Sequence, residues 1–440
     1  MRLDQATQEQ LSEWHQSLSE QYANFKAAGL NLDLTRGKPG ADQLSLSDRL
    51  DGILEGDYKD SAGTDLRNYG GLDGIPEAKQ LFADMIGVQP SDILIGGNGS
   101  LPLMYFSVQT ALLHGLNGDD SAWNKESGTI KFLAPVPGYD RHFTVCEHQG
   151  IELIPVAMND DGPDMDEVER LLKADPLIKG IWCVPRFSNP TGAIYSEAVV
   201  ARMAKLANIA GDNFRIFWDN AYAVHIIEQD CDQLADILSA CRAEGTEDSV
   251  LIFGSTSKIT FAGAGVAFLA ASANNRAAIQ KALSFTTIGP DKVNQMRHVR
   301  FLKDQATLAA HMDKHAELLK PRFDAVLKQL RAELADSGMA TWTEPKGGYF
   351  ISLDTLPGLA KEVIKLAAQA GVKLTPAGAT FPYGHDPQDC NIRIAPSFPT
   401  IADLEQATQV FIHTHGQVQQ VAQLTTWIMQ EPVFQQELIP

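Results

Sequence analysis

Between about residue 90 and residue 275 the chain alternates short, continuous apolar runs with segments of helix length, and this alternation leaves few folds open. The runs are 93–95, 130–134, 151–156, 180–184, 215–218, 250–253 and 266–271. Several are apolar at every position rather than at every second one, the pattern of strands covered on both faces. Strands separated by helices assemble as βαβ units into a mostly parallel sheet. The expected class is therefore α/β, with a large domain built on a mostly parallel, seven-stranded sheet.

The flanking regions read differently. Leu11, Trp14, Leu18, Tyr22 and Phe25 recur at steps of three and four and predict an N-terminal helix with one apolar face. A loop, Arg36-Gly37-Lys38-Pro39-Gly40, follows. From 306 to 336 a long helical pattern runs, with a break or kink expected at Pro321. A few strands, a Gly/Pro-rich loop over 376–384 and closing helices complete a smaller α+β domain. Val433, Phe434, Leu438 and Ile439 are expected to pack on the fold or on a partner. With 440 residues, two domains are expected. The division is 1–50 as a segment joining the small domain, 51–305 as the large domain and 306–440 as the small one.

Charge and cysteine usage exclude several functions. Thirty-six basic against 55 acidic residues give a net charge of −19, which disfavours nucleic acid and anionic membranes as partners. Five scattered cysteines without a C-x-x-C pair fit a reduced, cytoplasmic protein without a metal site. The first ten residues lack the apolar core of a signal peptide, and no apolar run reaches membrane-spanning length.

Five motifs carry the chemistry. Ser255-Thr256-Ser257-Lys258 directly follows the run 250–253. Ligands of parallel sheets bind beyond the carboxyl ends of the strands, and a lysine buried there becomes nucleophilic. Asp219-Asn220-Ala221-Tyr222 ends the run 215–218 and offers a carboxylate to a buried cation. Asn189-Pro190-Thr191-Gly192 makes a turn after 180–184. Asn98-Gly99-Ser100 opens a helical stretch whose free N–H groups and dipole suit a phosphate. Asn391-Ile392-Arg393-Ile394 places an arginine in an apolar strand, where it needs an anionic partner such as a carboxylate. Each motif alone has an ordinary counterpart: a solvated lysine, a helix cap, a plain turn, a capped helix, a structural salt bridge. Four of the five, however, lie just beyond strand ends of one inferred sheet.

In this order and spacing the motifs resemble the fold-type I pyridoxal 5′-phosphate (PLP) enzymes, in the class I aminotransferase group. Pro345-Lys346-Gly347-Gly348-Tyr349-Phe350 and the stretch from Tyr69 to Gly74 extend the resemblance over nearly the whole chain. It implies that Lys258 forms the Schiff base and shuttles a proton, and that Asp219 pairs with the pyridine nitrogen. Asn189 and Tyr222 would contact the ring oxygen. Gly99, Ser100, Leu101, Ser255 and Ser257 would surround the phosphate, and Tyr139 would stack on the ring. Arg393 would grip the substrate α-carboxylate, near the Gly37 backbone. Tyr69 would reach the phosphate of a neighbouring subunit, which implies a homodimer.

One departure stands out. The family's phosphate-binding arginine, eight residues after the lysine, is replaced by Val266. This pattern resembles an atypical bacterial subgroup of aspartate aminotransferases and MocR-like aminotransferases. The resemblance implies amino transfer between an amino acid and a 2-oxo acid, with L-aspartate and 2-oxoglutarate preferred. A dicarboxylic substrate needs a second cation, for which Arg36, Lys38, Arg141, Lys292, Arg297 and Arg300 are candidates. Alternatives are an alanine, aromatic or broad-specificity aminotransferase, a β-lyase, or an aminotransferase-like effector domain of a transcription regulator. The last is disfavoured because only about 30 residues precede the first motif and the chain is acidic.

Overall fold

The computed structural model describes residues 7–430. Val433, Phe434, Leu438 and Ile439 lie outside the described residues. The strands are β1 (Leu32–Asp33), β2 (Ile93–Ile95), β3 (Lys131–Val136), β4 (Glu152–Asn159), β5 (Gly162–Pro163), β6 (Ile178–Cys183) and β7 (Arg215–Asp219). They continue with β8 (Val250–Ser255), β9 (Ala267–Ala271), β10 (Ala340–Trp342), β11 (Ile351–Thr355), β12 (Val372–Lys373) and β13 (Asn391–Ile394).

The central sheet runs β2-β9-β8-β7-β6-β3-β4-β5. Pairings from β8 through β7, β6 and β3 to β4 are parallel. All seven expected strands are present, and the sheet has eight. The eighth, β5, is a two-residue antiparallel partner to the end of β4, too short to leave a periodic signal. β9 pairs antiparallel with both β8 and β2. Its direction follows from its connection: residues 256–266 form a loop rather than a crossover helix, so the chain turns back beside β8. That loop carries Lys258.

Burial on both faces explains the continuous apolar runs. In β7, Ile216 and Trp218 enter the core that holds Val200 and Met203. Phe217, between them, enters the opposite core and meets Phe132 and Trp182 with centroids 5.4 and 4.8 Å away. A fully buried phenylalanine of this kind contributes roughly 2–3 kcal/mol.

A third core gathers Leu319, Phe323, Leu353, Val363 and Phe411, and reaches Phe187 and Tyr222 beyond the ends of β6 and β7. It lies under the antiparallel sheet β10-β11-β13. β1 pairs parallel with β12, so the N-terminal segment is hydrogen-bonded to the C-terminal part of the chain. The N-terminal helix Gln8–Ala27 forms, with Leu18 buried and Tyr22 and Phe25 against the third core. The side chains of Leu11 and Trp14 lie outside the described residues. Pro321 does not break the long helix, which runs unbroken from Gln305 to Leu334. Buried Leu319 and Phe323 anchor it on either side of the proline.

Several histidines are buried in the neutral form. Burial holds His225 at about 3, His315 at about 4 and His415 at about 4, below the ordinary imidazole value. The unfolded chain therefore takes up these protons first as pH falls. Their contribution is complete above about pH 6.5 and is lost progressively on acidification toward pH 4, by about 2 kcal/mol per histidine at pH 5. The midpoint of thermal unfolding is expected to fall steeply between pH 7.5 and pH 5.0. A melt that does not move over that interval contradicts this account.

Candidate active site

Beyond the carboxyl ends of the parallel strands lies a cavity of about 630 Å³. It sits where chain order along the sheet reverses, between β3 and β6, the usual ligand position in open α/β sheets. Its wall includes Gly37, Ser100, Leu101, Tyr139, Asn189, Asp219, Tyr222, Lys258 and Arg393. Nine of the thirteen predicted site residues thus face one space. Gly99, Ser255, Ser257 and Tyr69 do not line it.

Lys258 is the centre of the site. Its Nζ lies 5.0 Å from the centroid of the Tyr222 ring. Burial lowers its pKa from the ordinary lysine value, and the carboxylate of Asp219 opposes part of that shift. A buried amine of lowered pKa is more readily a free base, as nucleophilic chemistry requires. The Tyr222 phenol is pushed the other way, well above its ordinary value, chiefly by burial, so its O–H remains a donor.

Asp219 ends β7 and is 2% exposed. Its Oδ2 lies 2.9 Å from Nε2 of His142. His142 is itself stacked on Trp182, with centroids 4.3 Å apart and planes 8° from parallel. Oδ1 has no hydrogen-bond partner among the described residues. A buried carboxylate oxygen without a donor costs roughly 1–3 kcal/mol or more, and a ligand N–H placed there removes that cost. His142 was not singled out from the sequence. Its role depends on a contact across 77 residues, and no local pattern announces it.

On the opposite wall, β13 directs Ile392 and Ile394 into the core and Arg393 toward the cavity. Arg393 Nη1 donates to Asn189 Oδ1 and to Asp140 Oδ1, each at 3.2 Å, and Nε donates to Thr375 Oγ1 at 3.3 Å. The guanidinium lies 4.9 Å from the centroid of the Phe350 ring. Asp140 was also missed by motif reading: it is the arginine's anionic partner in this state. Gly37 reaches the same place because it has no side chain. A Cβ there would lie 2.4 Å from the Phe350 ring.

The three predicted residues flanking Ser100 form a second cluster at the start of the helix Ser100–Leu113. Gly99 is its N-cap and supplies no side-chain cap, so the first N–H groups are free for an anion. Ser257 Oγ donates to Asn98 O at 3.4 Å, and Ser255 Oγ lies 3.1 Å from Ser257 Oγ. Gly265 closes the cluster, since a Cβ there would approach Asn98 O to 2.9 Å. Val266 is buried in the core and offers nothing to an anion. Tyr69 is 83% exposed. Its loop is held by Lys292, whose Nζ donates to Asn68 O at 2.8 Å and Gly70 O at 2.6 Å.

Of the six candidate second cations, Arg36, Lys38 and Arg141 line the cavity. Lys38 Nζ sits 3.8 Å above the Phe398 ring. Arg36 and Arg141 form no ion pair among the described residues. Lys292 is committed to the Tyr69 loop, Arg300 to Asp57 at 2.6 Å, and Arg297 lines a separate hollow with Asp48 and Asp51.

The profile of the aspartate amino-transferase family matches residues 6–424. The chain belongs to that family. An aspartate aminotransferase of Corynebacterium glutamicum is 46% identical over 400 residues, covering 91% of this chain and 92% of that protein. The crystal structure of an aspartate transaminase from the same organism superposes with a TM-score of 0.93 at 43% identity, over 96% of this chain and 99% of the other. The fold recurs, at 20% identity and a TM-score of 0.72, in an α-aminoadipate aminotransferase of Thermus thermophilus, covering 91% of this chain and 95% of that one.

As a member of this family the chain is an aminotransferase with the PLP-dependent transferase fold, and its cofactor is PLP. The residues present fit that group. The unpartnered Oδ1 of Asp219 suits a ring N–H, the buried amine of Lys258 suits an aldehyde, and the uncapped helix start with its two serines suits a phosphate. Among the described residues no helix is long and apolar enough to cross a membrane, and no cluster of residues suited to a metal occurs.

Proposed function

We propose that this enzyme transfers the amino group of L-aspartate to 2-oxoglutarate, giving oxaloacetate and L-glutamate. The observation that carries this reading is the presence of two kinds of arginine in one cavity. Arg393 is pre-oriented by Asn189 and Asp140, while Arg36 and Arg141 carry charge without an ion-pair partner among the described residues. A substrate with two carboxylates uses both kinds. The aspartate aminotransferase name of the Corynebacterium glutamicum relative supports the same substrate.

Each residue then has a defined task. Arg393 exchanges Asp140 for the substrate α-carboxylate, with the Gly37 backbone alongside. Asp219, held by His142, keeps a proton on the ring nitrogen. Asn189 and Tyr222 donate toward the ring oxygen, Tyr139 covers the ring, and Gly99, Ser100, Leu101, Ser255 and Ser257 surround the phosphate. Bound PLP supplies the electron sink that makes the substrate Cα–H acidic. Lys258 Nζ would hold the cofactor aldehyde and, once free, would carry the Cα proton of the substrate.

The same reading makes the protein a cytoplasmic homodimer, with Tyr69 reaching the partner's phosphate site. It divides the chain into 1–50, 51–305 and 306–440.

A donor screen with 2-oxoglutarate tests the substrate. Aspartate is expected to exceed alanine and phenylalanine in kcat/KM by at least about tenfold, the scale of one charge-assisted contact. Comparable values would overturn the aspartate assignment. The cations are tested separately: Arg36→Leu and Arg141→Leu are each made. At least one is expected to raise KM for aspartate about 10- to 100-fold while leaving alanine kinetics nearly unchanged. If neither discriminates between the two donors, the second carboxylate is bound elsewhere.

A further inference from the structure

The turn that follows Lys258 is held by an unusual set of side chains. Lys258 O and Ile259 O receive no backbone N–H among the described residues, because the turn ends at Thr260 and the chain leaves in a loop. Side chains take over at both. Lys258 O accepts from His225 Nε2 at 3.1 Å and Tyr349 Oη at 3.4 Å. Ile259 O accepts from His311 Nε2 at 2.7 Å and His315 Nε2 at 3.0 Å. The next side chain, Thr260 Oγ1, lies 2.8 Å from His298 Nε2.

One residue of the N-terminal segment completes this set. Gln43 is fully buried, and its Oε1 accepts from Gly40 N at 3.0 Å. That bond fixes the amide so that Nε2 points inward, 3.3 Å from His315 Nδ1 and 3.1 Å from Tyr349 Oη. The tautomers follow. His315 Nδ1 accepts from Gln43, so its proton is on Nε2 and goes to Ile259 O. Tyr349 accepts from Gln43 and donates its own proton to Lys258 O. His298 donates from Nδ1 to Asn294 O at 2.8 Å, so its Nε2 accepts from Thr260. Every imidazole in the set is neutral, in agreement with the lowering of His225, His298, His311 and His315 by burial.

Gln43 lies five residues after Lys38, and Arg36, Gly37 and Lys38 line the cavity. One short segment therefore presents the substrate loop and reaches the backbone behind the catalytic lysine. We propose that Gln43, acting through Tyr349 and His315, is a positioning residue that couples the seating of the substrate loop to the direction in which Lys258 presents its amine. This rests on the reading of Lys258 as the reactive group. The helix carrying His311 and His315 belongs to the C-terminal part of the chain, so the coupling spans the N-terminal segment, that helix and the sheet loop.

The test uses Gln43→Leu, Tyr349→Phe and the double variant, in the full chain. Two readouts are taken. The first is kcat and KM with aspartate in the loaded enzyme. The second, in the cofactor-free chain, is the pH at which Lys258 is half-labelled by acetic anhydride, read by peptide mass. Freeing the turn admits water to Lys258, so the labelling midpoint is expected to rise by about half a pH unit or more. kcat is expected to fall about 10- to 100-fold with KM changed much less. The double variant is expected to resemble the stronger single one, because both act through one route.

A fall in melting temperature with the labelling midpoint unchanged makes these residues merely structural and overturns the proposal, as does full additivity in the double variant. If Gln43→Leu fails to fold, Tyr349→Phe, which deletes one oxygen, decides by the same midpoint. The labelling needs neither PLP nor an amino donor. An error in the aspartate assignment, or a wild type that forms no borohydride-trappable link at Lys258, is therefore seen separately from a failure of the coupling.

Discussion

Replacing Lys258 by alanine is expected to abolish multiple turnover, lowering kcat by at least about 10⁴-fold, the upper range for loss of a positioned general base. Among the described residues its amine is the only one lining the cavity that stands beside Asp219; the other lysine of the wall, Lys38, is exposed and lies over Phe398. No neighbour can substitute at the Cα proton. Tyr222 is closest, but burial raises its phenol far above the range of a working base. The second consequence is chemical. Borohydride treatment of the wild type followed by peptide mapping should place a pyridoxyl group on Lys258, and the alanine variant should carry none. A labelled peptide elsewhere in the chain would defeat the assignment of this amine, and with it most of the proposed mechanism. The fold should survive, because the amine is desolvated and has no hydrogen-bond acceptor among the described residues, so removing it forfeits no bond.

The second large effect is expected at Asp219. Asp219→Asn keeps the size of the side chain and an acceptor for His142, but removes the charge facing the ring nitrogen. Electrostatic groups in desolvated sites are worth about 10²–10³ in kcat, and that is the loss anticipated here. The cofactor-free protein should melt within a few degrees of the wild type or above it. Its Oδ1 has no donor among the described residues, so the native carboxylate contributes no full set of hydrogen bonds that asparagine would forfeit. A residue kept for function has this signature: rate lost, stability kept. Equal loss of both would make Asp219 a structural partner of His142. His142→Phe separates the cases further, since it keeps the stack on Trp182 and frees Oδ2. A smaller loss of kcat is expected for it than for Asp219→Asn.

The absence of the usual arginine at Val266 is explained by the local fold. Val266 N donates to Thr256 Oγ1 at 2.9 Å and its side chain is sealed in the core, so the position has no access to the anion cluster. In the proposed function, serine hydroxyls and free helix N–H groups would supply neutral donors in place of a charge. On the proposed reading, an acidic chain holds an anion site because its donors are local and oriented.

Sequence by itself determined the local elements and the residues at their ends. Continuous apolar runs identify strands covered on both faces, and such strands in alternation with helices specify a sheet whose carboxyl edge holds the ligand; Lys258, Asp219, Asn189 and Ser100 were legible as residues just beyond strand ends. Only the tertiary structure decided which distant groups meet. The hydrogen bond of His142 to Asp219, the ion pair of Asp140 with Arg393, the short strand β5, the reversed direction of β9 and the hold of Gln43 on the turn behind Lys258 all depend on contacts between segments far apart in the chain or on loop geometry. Periodicity reports which face of an element is buried, because burial repeats with the period of the backbone; it carries no record of the partner on the other side.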